Sequence, residues 1–260
     1  MKPMKMVIDT LCLEVTRRCN MCCAHCLRGE AEDLDADIAK IPYIFDGLAK
    51  INSLVFTGGE PALNVPYIKA VVDYVIEHKI SVRGCFIATN AKVYSPELVE
   101  CVRQLYEAEY GDGEKCLDAA KWLRSTRSYE CEEAFTIAIS GDEYHEPVPV
   151  QNLMRYYKSG FFSDVKMNTG GPILDRGRGR YIPGAVDRAI DRLCIEADDD
   201  DRLRINLIYV SSTGAVVTDC DLPYTEIDSF EPGDDYYLGT IEKDARLNDL
   251  LKTVCVNSCV

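Results

Sequence analysis

Four cysteines fall within eight residues near the start of the chain, in the stretch Cys19-Asn-Met-Cys22-Cys23-Ala-His-Cys26. Thiolates at such short spacings are typical of a metal centre. If three of these cysteines are metal ligands, their spacing is Cys19-x3-Cys23-x2-Cys26, and Cys22 is not a ligand. Three thiolates on a cluster of four irons leave one iron without a protein ligand. An enzyme needs that open iron, whereas an electron carrier would use a fourth cysteine.

A structural zinc site is the alternative for the same residues. Cys22 and Cys26 fit part of a four-thiolate site, but zinc ribbons usually carry two separated C-x2-C pairs, and this chain has no second, separated pair. A disulfide is disfavoured because adjacent cysteines bridge badly and no secretory signal is present. Arg17 and Arg18, just before Cys19, face a cluster, a carboxylate or solvent equally well.

A glycine pair and a carboxylate follow the next apolar strand. The residues Ser53–Thr57 read as a short buried strand, and Gly58-Gly59-Glu60-Pro61 comes directly after it. Two glycines let a backbone pass close to a ligand and take positive φ, and a carboxylate beside them accepts hydrogen bonds from an ammonium group. Alone, such a segment is usually a turn. Its position about 35 residues after the cysteine loop makes the combination much more specific.

The cysteine loop and Gly58-Gly59-Glu60 together resemble the radical S-adenosylmethionine (SAM) family. The resemblance implies that Cys19, Cys23 and Cys26 ligate a [4Fe–4S] cluster, with Cys22 outside the ligand set. It also implies that SAM chelates the open iron, with its amino group held by Glu60 and the backbone of Gly58 and Gly59. Reduction would then split SAM into methionine and a 5′-deoxyadenosyl radical, which abstracts hydrogen from a substrate.

Polar residues follow two further predicted strands. Thr89 and Asn90 end the strand at 80–88, and the family resemblance makes them candidate contacts to SAM, although a turn is an equally good interpretation. Asn168 ends a strand at 164–168 and is a third candidate contact. Polar residues at the carboxyl ends of parallel strands point into the ligand crevice, so these residues are expected to lie near one another.

The second densest polar cluster follows the predicted strand at 134–140. Ser140 ends this strand, and the resemblance places it near the ribose of SAM. Asp142, Tyr144 and His145 follow and are the candidate catalytic residues of a substrate pocket, with His145 a candidate proton handler. The alternative is a loop whose Asp and Tyr make only local hydrogen bonds.

The segment Asp175-Arg-Gly-Arg-Gly-Arg180 is strongly basic within an acidic protein. Its arginines, Arg178 among them, are candidates to clamp a carboxylate or phosphate of SAM or of the substrate. Glycine–arginine alternation is also found in RNA-binding segments. The shortness of this one and the net charge of −14 make RNA binding the weaker interpretation.

The elements that must position these residues alternate along the chain. Six predicted strands alternate with helices, including an amphipathic helix over 68–76, a helix opened by Ser95 and Pro96, and a helix over 185–193. This pattern predicts an α/β fold, and the resemblance specifies a partial (β/α)6 TIM-like barrel as the radical SAM core at 1–211. Residues 212–260 form a small C-terminal hairpin-plus-helix extension.

The extension resembles the SPASM and shorter twitch extensions that hold auxiliary iron–sulfur clusters. A full SPASM extension has seven cysteines for two clusters, whereas only Cys194, Cys220, Cys255 and Cys259 are available here. We therefore expect at most one auxiliary cluster. The alternative is a tail that only packs across the barrel.

Composition excludes several classes of protein. A net charge of −14 disfavours binding of nucleic acid, whose phosphates it would repel. No apolar run approaches the length of a membrane helix. Thirteen cysteines, an odd count, without a secretory segment indicate a reduced, cytoplasmic protein rather than a disulfide framework.

The expected function is that of a radical SAM enzyme acting on a peptide or protein, such as a ribosomally synthesised peptide under maturation. The SPASM-like tail favours this substrate. The expected partners are a one-electron reductant such as flavodoxin or ferredoxin and a separate leader-peptide-binding protein. The alternatives are a radical SAM enzyme for a small metabolite or nucleotide, and a non-catalytic iron–sulfur or zinc protein.

Overall fold

The computed structural model describes residues 6–111, 135–166, 172–197 and 202–258. The strands are β1 (Met6–Thr16), β2 (Leu48–Gly58), β3 (Ser81–Val82), β4 (Cys85–Thr89), β5 (Phe135–Ser140), β6 (Phe162–Lys166), β7 (Ile195–Ala197), β8 (Leu203–Val210), β9 (Ala215–Val217) and β10 (Tyr237–Thr240). The α-helices are α1 (Ile41–Phe45), α2 (Val65–Glu77), α3 (Pro96–Tyr110), α4 (Val150–Lys158), α5 (Tyr224–Ile227) and α6 (Leu247–Ser258). Within these ranges, no helix is long and apolar enough to cross a membrane.

All the strands belong to one sheet in the order β10-β9-β8-β1-β2-β4-β5-β6, with β3 beside β2 and β7 beside β8. The strands β8, β1, β2, β4, β5 and β6 are parallel to one another. These are the six strands that the sequence predicts, but the last of them lies beside the first. In the described residues the path from β10 to β6 is not closed. The α/β class is therefore confirmed, and a partial (β/α)6 barrel is not.

The first strand lies near the middle of the sheet and carries the cysteine loop at its carboxyl end. It pairs with β2 on one side and β8 on the other. Leu11, Leu13 and Val15 are at most 1% exposed. A strand that is covered on both faces is apolar along its whole length, as β1 nearly is. This central strand therefore gives the cysteine loop a rigid base.

Both helices predicted after the second and third strands are present; the one opened by Ser95 and Pro96 begins where predicted, and the one predicted over 68–76 begins earlier, at Val65. Helix α3 begins after Ser95, whose hydroxyl accepts a hydrogen bond from the Leu98 N–H at 3.1 Å, and Pro96 occupies its first turn. Helix α2 buries an apolar stripe that includes Ile68, Val71 and Val75. Both helices contribute to the same core as β1.

The prediction of a helix over 185–193 is wrong. This segment has no helix and runs as irregular chain, with Val186 bridged to Leu174. The local apolar spacing is overridden by long-range contacts. The Val186 N–H donates to the Ile173 carbonyl at 2.8 Å, and the Asp191 N–H donates to Asp219 Oδ2 at 2.9 Å. Backbone groups engaged in this way cannot form a helix ladder.

The C-terminal residues form the predicted hairpin and helix. Strands β8 and β9 are antiparallel neighbours, and α6 covers the predicted helical segment. Val216, Ile241, Leu247 and Leu251 are buried in the same apolar cluster as β1. The tail thus shares the main core, and the domain boundary at 211/212 stays a prediction.

Candidate functional site

The cysteine loop leaves β1 at Thr16 and is folded back on the strand end. The Arg17 N–H donates to the Leu34 carbonyl at 2.8 Å, and the Glu32 N–H donates to the Arg17 carbonyl at 3.1 Å. Inside the loop, the Cys26 N–H donates to the Cys23 carbonyl at 3.2 Å. These bonds hold the loop as a compact turn above the carboxyl edge of the sheet.

Three of the four loop cysteines line one pocket. Cys19, Cys23 and Cys26 are half-buried and form its wall, whereas Cys22 is exposed and does not line it. The pocket has about 300 Å³ of empty space, including open solvent. Burial, followed by the neighbouring thiolates of Cys26 and Cys19, raises the pKa of Cys23 to about 11. The separation of Cys22 from the other three agrees with the x3/x2 ligand set, which itself stays a prediction.

Cationic groups surround these thiols. Arg17, Arg28 and Arg178 all line the pocket. The Arg178 side chain lies over the loop: its Nε donates to the Cys23 carbonyl at 3.0 Å, and its Nη1 donates to the Cys22 sulfur at 3.0 Å. The sequence predicts Arg178 as a clamp for a carboxylate or phosphate, and the structure places it against the cysteine loop. Arg17 is already paired with three carboxylates, so Arg28 and Arg178 are the guanidinium groups left to offset the charge of an anionic ligand.

The two glycines of the Gly-Gly-Glu segment are required by a close approach to the cysteine loop. Gly58 has φ of +134°, and a Cβ there would meet the Thr16 carbonyl oxygen at 2.1 Å. A Cβ on Gly59 would meet the Arg18 carbonyl oxygen at 2.2 Å. The Gly59 N–H donates to the Thr16 carbonyl at 2.7 Å. Gly59 also lines the pocket and so forms part of its wall, whereas Gly58 does not line it.

Glu60, Thr89 and Asn90 are brought together at the ends of β2 and β4. The Glu60 carboxylate is 2% exposed. It accepts hydrogen bonds from the Thr89 hydroxyl at 2.6 Å, the Asn90 N–H at 2.7 Å and the Ala62 N–H at 3.0 Å. The Asn90 side-chain amide donates to Asn20 Oδ1 at 2.8 Å. The three predicted residues therefore form one network that ties the strand ends to the cysteine loop.

The candidate catalytic residues after β5 form a second cluster beside the loop. His145 Nδ1 lies 2.7 Å from Asp142 Oδ1, and His25 Nε2 lies 3.4 Å from Asp142 Oδ2. The His25 ring packs on Tyr144 with ring centroids 5.1 Å apart. The ligand atoms of His25, Asp142 and His145 all lie within 4.8 Å of one another. Hydrogen bonds to His145 and to the Tyr144 N–H outweigh burial and lower the pKa of Asp142.

Sequence reasoning missed His25 as a site residue. It was one of the two spacers between Cys23 and Cys26, and nothing local connects it to Asp142. The available signal is its residue type, because a histidine within a metal-binding loop can itself ligate or transfer protons. Burial, opposed by Asp142, lowers the pKa of His25.

Other predicted residues are placed less fully. Ser140 is half-buried at the end of β5 and is not part of the pocket wall. Cys194 is exposed, and Cys220 packs beside the buried Cys12. Cys255 lies in α6. Asn168 and Cys259 lie outside the described residues, so an auxiliary cluster stays a prediction.

Comparisons with known proteins give one short sequence match and several distant structures. No model of a protein family matches the chain. An uncharacterized protein of Methanocaldococcus jannaschii, MJ0907, is 31% identical over 99 residues, which is 36% of this chain and 35% of that protein. The chain thus spans about a third of the length of the curated relative that it matches.

Several solved structures that are 12% identical to the chain resemble it. They include Streptococcus suis SuiB bound to the precursor peptide SuiA (TM-score 0.41; 89% of this chain and 64% of that chain) and SuiB bound to SAM (TM-score 0.41; 96% and 66%). A third is anSMEcpe with bound SAM and the Cp18Cys peptide (TM-score 0.38; 95% and 80%). The chain spans about two thirds of the SuiB length. These TM-scores lie below 0.5, so function has to be inferred from the chain's own residues.

Proposed function

We propose that this chain is a radical SAM enzyme. The observation that carries the proposal is the arrangement of the loop thiols: Cys19, Cys23 and Cys26 line one pocket with Gly59, and Cys22 stands outside it. A three-thiolate set suits a [4Fe–4S] cluster with an open iron, whereas a four-thiolate zinc site would need Cys22 or another ligand.

The residues present fit such a cluster and SAM. When bound, the cluster supplies the electron that cleaves SAM reductively. The chain's contribution is to hold and surround these groups. Arg28 and Arg178 offset negative charge at the pocket, and Gly59 forms part of its wall. A carboxylate accepts about four hydrogen bonds, and Glu60 has three from the protein. One acceptor position remains, and we propose that the ammonium group of SAM takes it, although Glu60 is 2% exposed and does not line the pocket of the three cysteines.

The side chains around Asp142 are proposed to line the part of the site that binds the substrate. Asp142 bonds to one ring nitrogen of His145 and lies close to one of His25, which fixes the orientation of both rings beside the cysteine loop. His145 is the proposed proton handler, and Tyr144 packs against the His25 ring. A positioned acid or base of this kind contributes about 100-fold or more to rate. Ser140 and Asn168 are proposed as further contacts to SAM.

We propose a peptide or protein substrate, because the hairpin, α6 and paired terminal cysteines resemble a shortened SPASM or twitch extension. The proposal includes two partners, a flavodoxin-like or ferredoxin-like reductant and a separate leader-binding protein. It also includes a cytoplasmic location and a division into a core at 1–211 and an extension at 212–260. The parallel strands β8, β1, β2, β4, β5 and β6 are the proposed counterpart of the partial barrel. A small metabolite or nucleotide is the alternative substrate.

The test is reductive cleavage of SAM by anaerobically reconstituted protein. Protein loaded with iron and sulfide is mixed with SAM and dithionite, and 5′-deoxyadenosine is measured by chromatography beside a Cys23→Ala control. Product from the wild type alone supports the proposal. Bound zinc without sulfide would contradict it, as would full iron and sulfide loading without product in the presence of candidate peptides.

A further inference from the structure

Tyr224, in α5, carries a buried hydroxyl that has no hydrogen-bond partner among the described residues. The residue is 2% exposed and lines the pocket of Cys19, Cys23 and Cys26. Buried hydroxyl groups nearly always have a partner, so an exception needs an explanation, and a group held in the pocket would supply one here. The Tyr224 hydroxyl is therefore placed to contact whatever the pocket holds.

The tyrosine ring is fixed from two directions. The Tyr224 N–H donates to the Arg28 carbonyl at 3.1 Å, and Arg28 Nη1 donates to the Leu222 carbonyl at 2.7 Å. The Arg17 guanidinium lies over the ring, with Cζ 4.6 Å from the centroid. These contacts attach the start of α5 to the cysteine loop on both sides of its thiols. The hydroxyl is thus held rather than free to turn to solvent.

The chemistry of the pocket identifies the missing partner as an acceptor that the ligand supplies. Arg17, Arg28 and Arg178 have only donors, so none of them can accept from a hydroxyl. The hydroxyl shares the pocket wall with Cys19, Cys23 and Cys26. The acceptor left for it is therefore a sulfur of the group that these thiols would hold.

Building on the proposed function, we propose that the Tyr224 hydroxyl would donate a hydrogen bond to a sulfur of the [4Fe–4S] cluster held in this pocket and so raise the cluster's reduction potential. Reduction adds negative charge to the cluster, and a donor aimed at a sulfur stabilises the charged form more than the oxidised form. Tyr224 is then a positioning and tuning residue contributed by the C-terminal part of the chain.

The test is a redox titration of Tyr224→Phe, followed by electron paramagnetic resonance in the absence of SAM. The variant keeps the ring and its contact with Arg17. We expect normal iron and sulfide content and a lower midpoint potential. At a fixed potential the ratio of reduced to oxidised cluster should fall about tenfold, which corresponds to about 59 mV for a one-electron couple.

The matched control is Tyr156→Phe. Tyr156 is 0% exposed, and its hydroxyl pairs with the Val93 carbonyl at 3.2 Å and the Ser95 N–H at 3.4 Å, outside the pocket. Loss of the Tyr156 hydroxyl should lower the free energy of unfolding at least as much as Tyr224→Phe does. It should leave the reduction potential of the cluster unchanged. An unchanged potential in Tyr224→Phe overturns the inference, as does an equal shift in both variants. If wild-type protein assembles no [4Fe–4S] cluster, the proposed function itself fails, and the two failures are distinguishable.

Discussion

Arg17 and Asp228 form a two-bond ion pair that joins the end of β1 to the residue after α5. Arg17 Nη1 and Nη2 donate to the two carboxylate oxygens of Asp228 at 2.5 and 2.7 Å. The same guanidinium donates to Glu14 at 2.8 Å and to Glu32 at 2.9 Å. Arg17 is 1% exposed. One buried cation thus connects the strand that carries the cysteine loop, the loop itself and the C-terminal region.

Replacement of Arg17 with Met should destabilise the protein strongly. Glu14, with its side chain fully buried, would lose its partner cation. Removing one member of a buried ion pair leaves an uncompensated charge and costs about 3 kcal/mol or more. The free energy of unfolding, measured by urea denaturation of the metal-free protein, checks this. Lys69→Met is the control, because its pair with Asp73 is exposed and should contribute little. Equal stability of the two variants would contradict the role of Arg17.

Replacement of Gly59 with Ala should disturb the contact between the second strand and the cysteine loop. The added Cβ would lie 2.2 Å from the Arg18 carbonyl oxygen, so the backbone must move. We expect a loss of about 3 kcal/mol in unfolding free energy and a lower iron content after reconstitution. Gly184→Ala is the matched control, because Gly184 has φ of +85° and no atom within 4 Å of an added Cβ. It should cost only about 1 kcal/mol and keep its iron; a Gly59 variant as stable as this control would argue against the clash.

The four loop cysteines should separate into two groups in metal content. Ser in place of Cys19, Cys23 or Cys26 should reduce bound iron and sulfide severely, because each variant leaves two thiolates for the cluster. Cys22→Ser should keep normal loading, since this exposed residue lies outside the pocket. Iron and acid-labile sulfide assays after anaerobic reconstitution measure the difference. Loss of the cluster in Cys22→Ser would indicate that the ligand set is wrong.

Replacement of Asp142 with Asn should loosen both histidines beside the loop. The amide cannot accept from His25 and His145 on both sides, so the rings lose their fixed orientation. Mass-spectrometric mapping of diethyl pyrocarbonate modification should show that both histidines react several-fold faster in the variant. His78 is the only other histidine in the chain and serves as the internal standard. Its Nδ1 lies within hydrogen-bond distance of the Tyr74 carbonyl oxygen, at 2.9 Å. Unchanged rates at His25 would show that Asp142 does not hold it.

Several features of the site follow from local sequence alone. The x3/x2 spacing predicts that Cys22 is set apart from the other three cysteines. Within one short loop, the positions of the cysteines decide which thiols face the same pocket. The extent of β1 follows from its apolar residues, and the start of α3 follows from Ser95 and Pro96. Each of these depends on residues within a few positions of one another, and local dihedral preferences decide them.

The contacts between distant segments could not be read in this way. Strand β8 lies beside β1 although residues 17–202 separate them, and this strand order places α5 and Tyr224 next to the cysteine loop. The same strand order places His25 next to Asp142. It also gives residues 185–193 long-range backbone contacts in place of a helix. The sequence therefore determined the chemical groups and the local turns that present them. Only the tertiary structure decided which groups meet, because strand order depends on the summed packing of the whole core rather than on any local pattern.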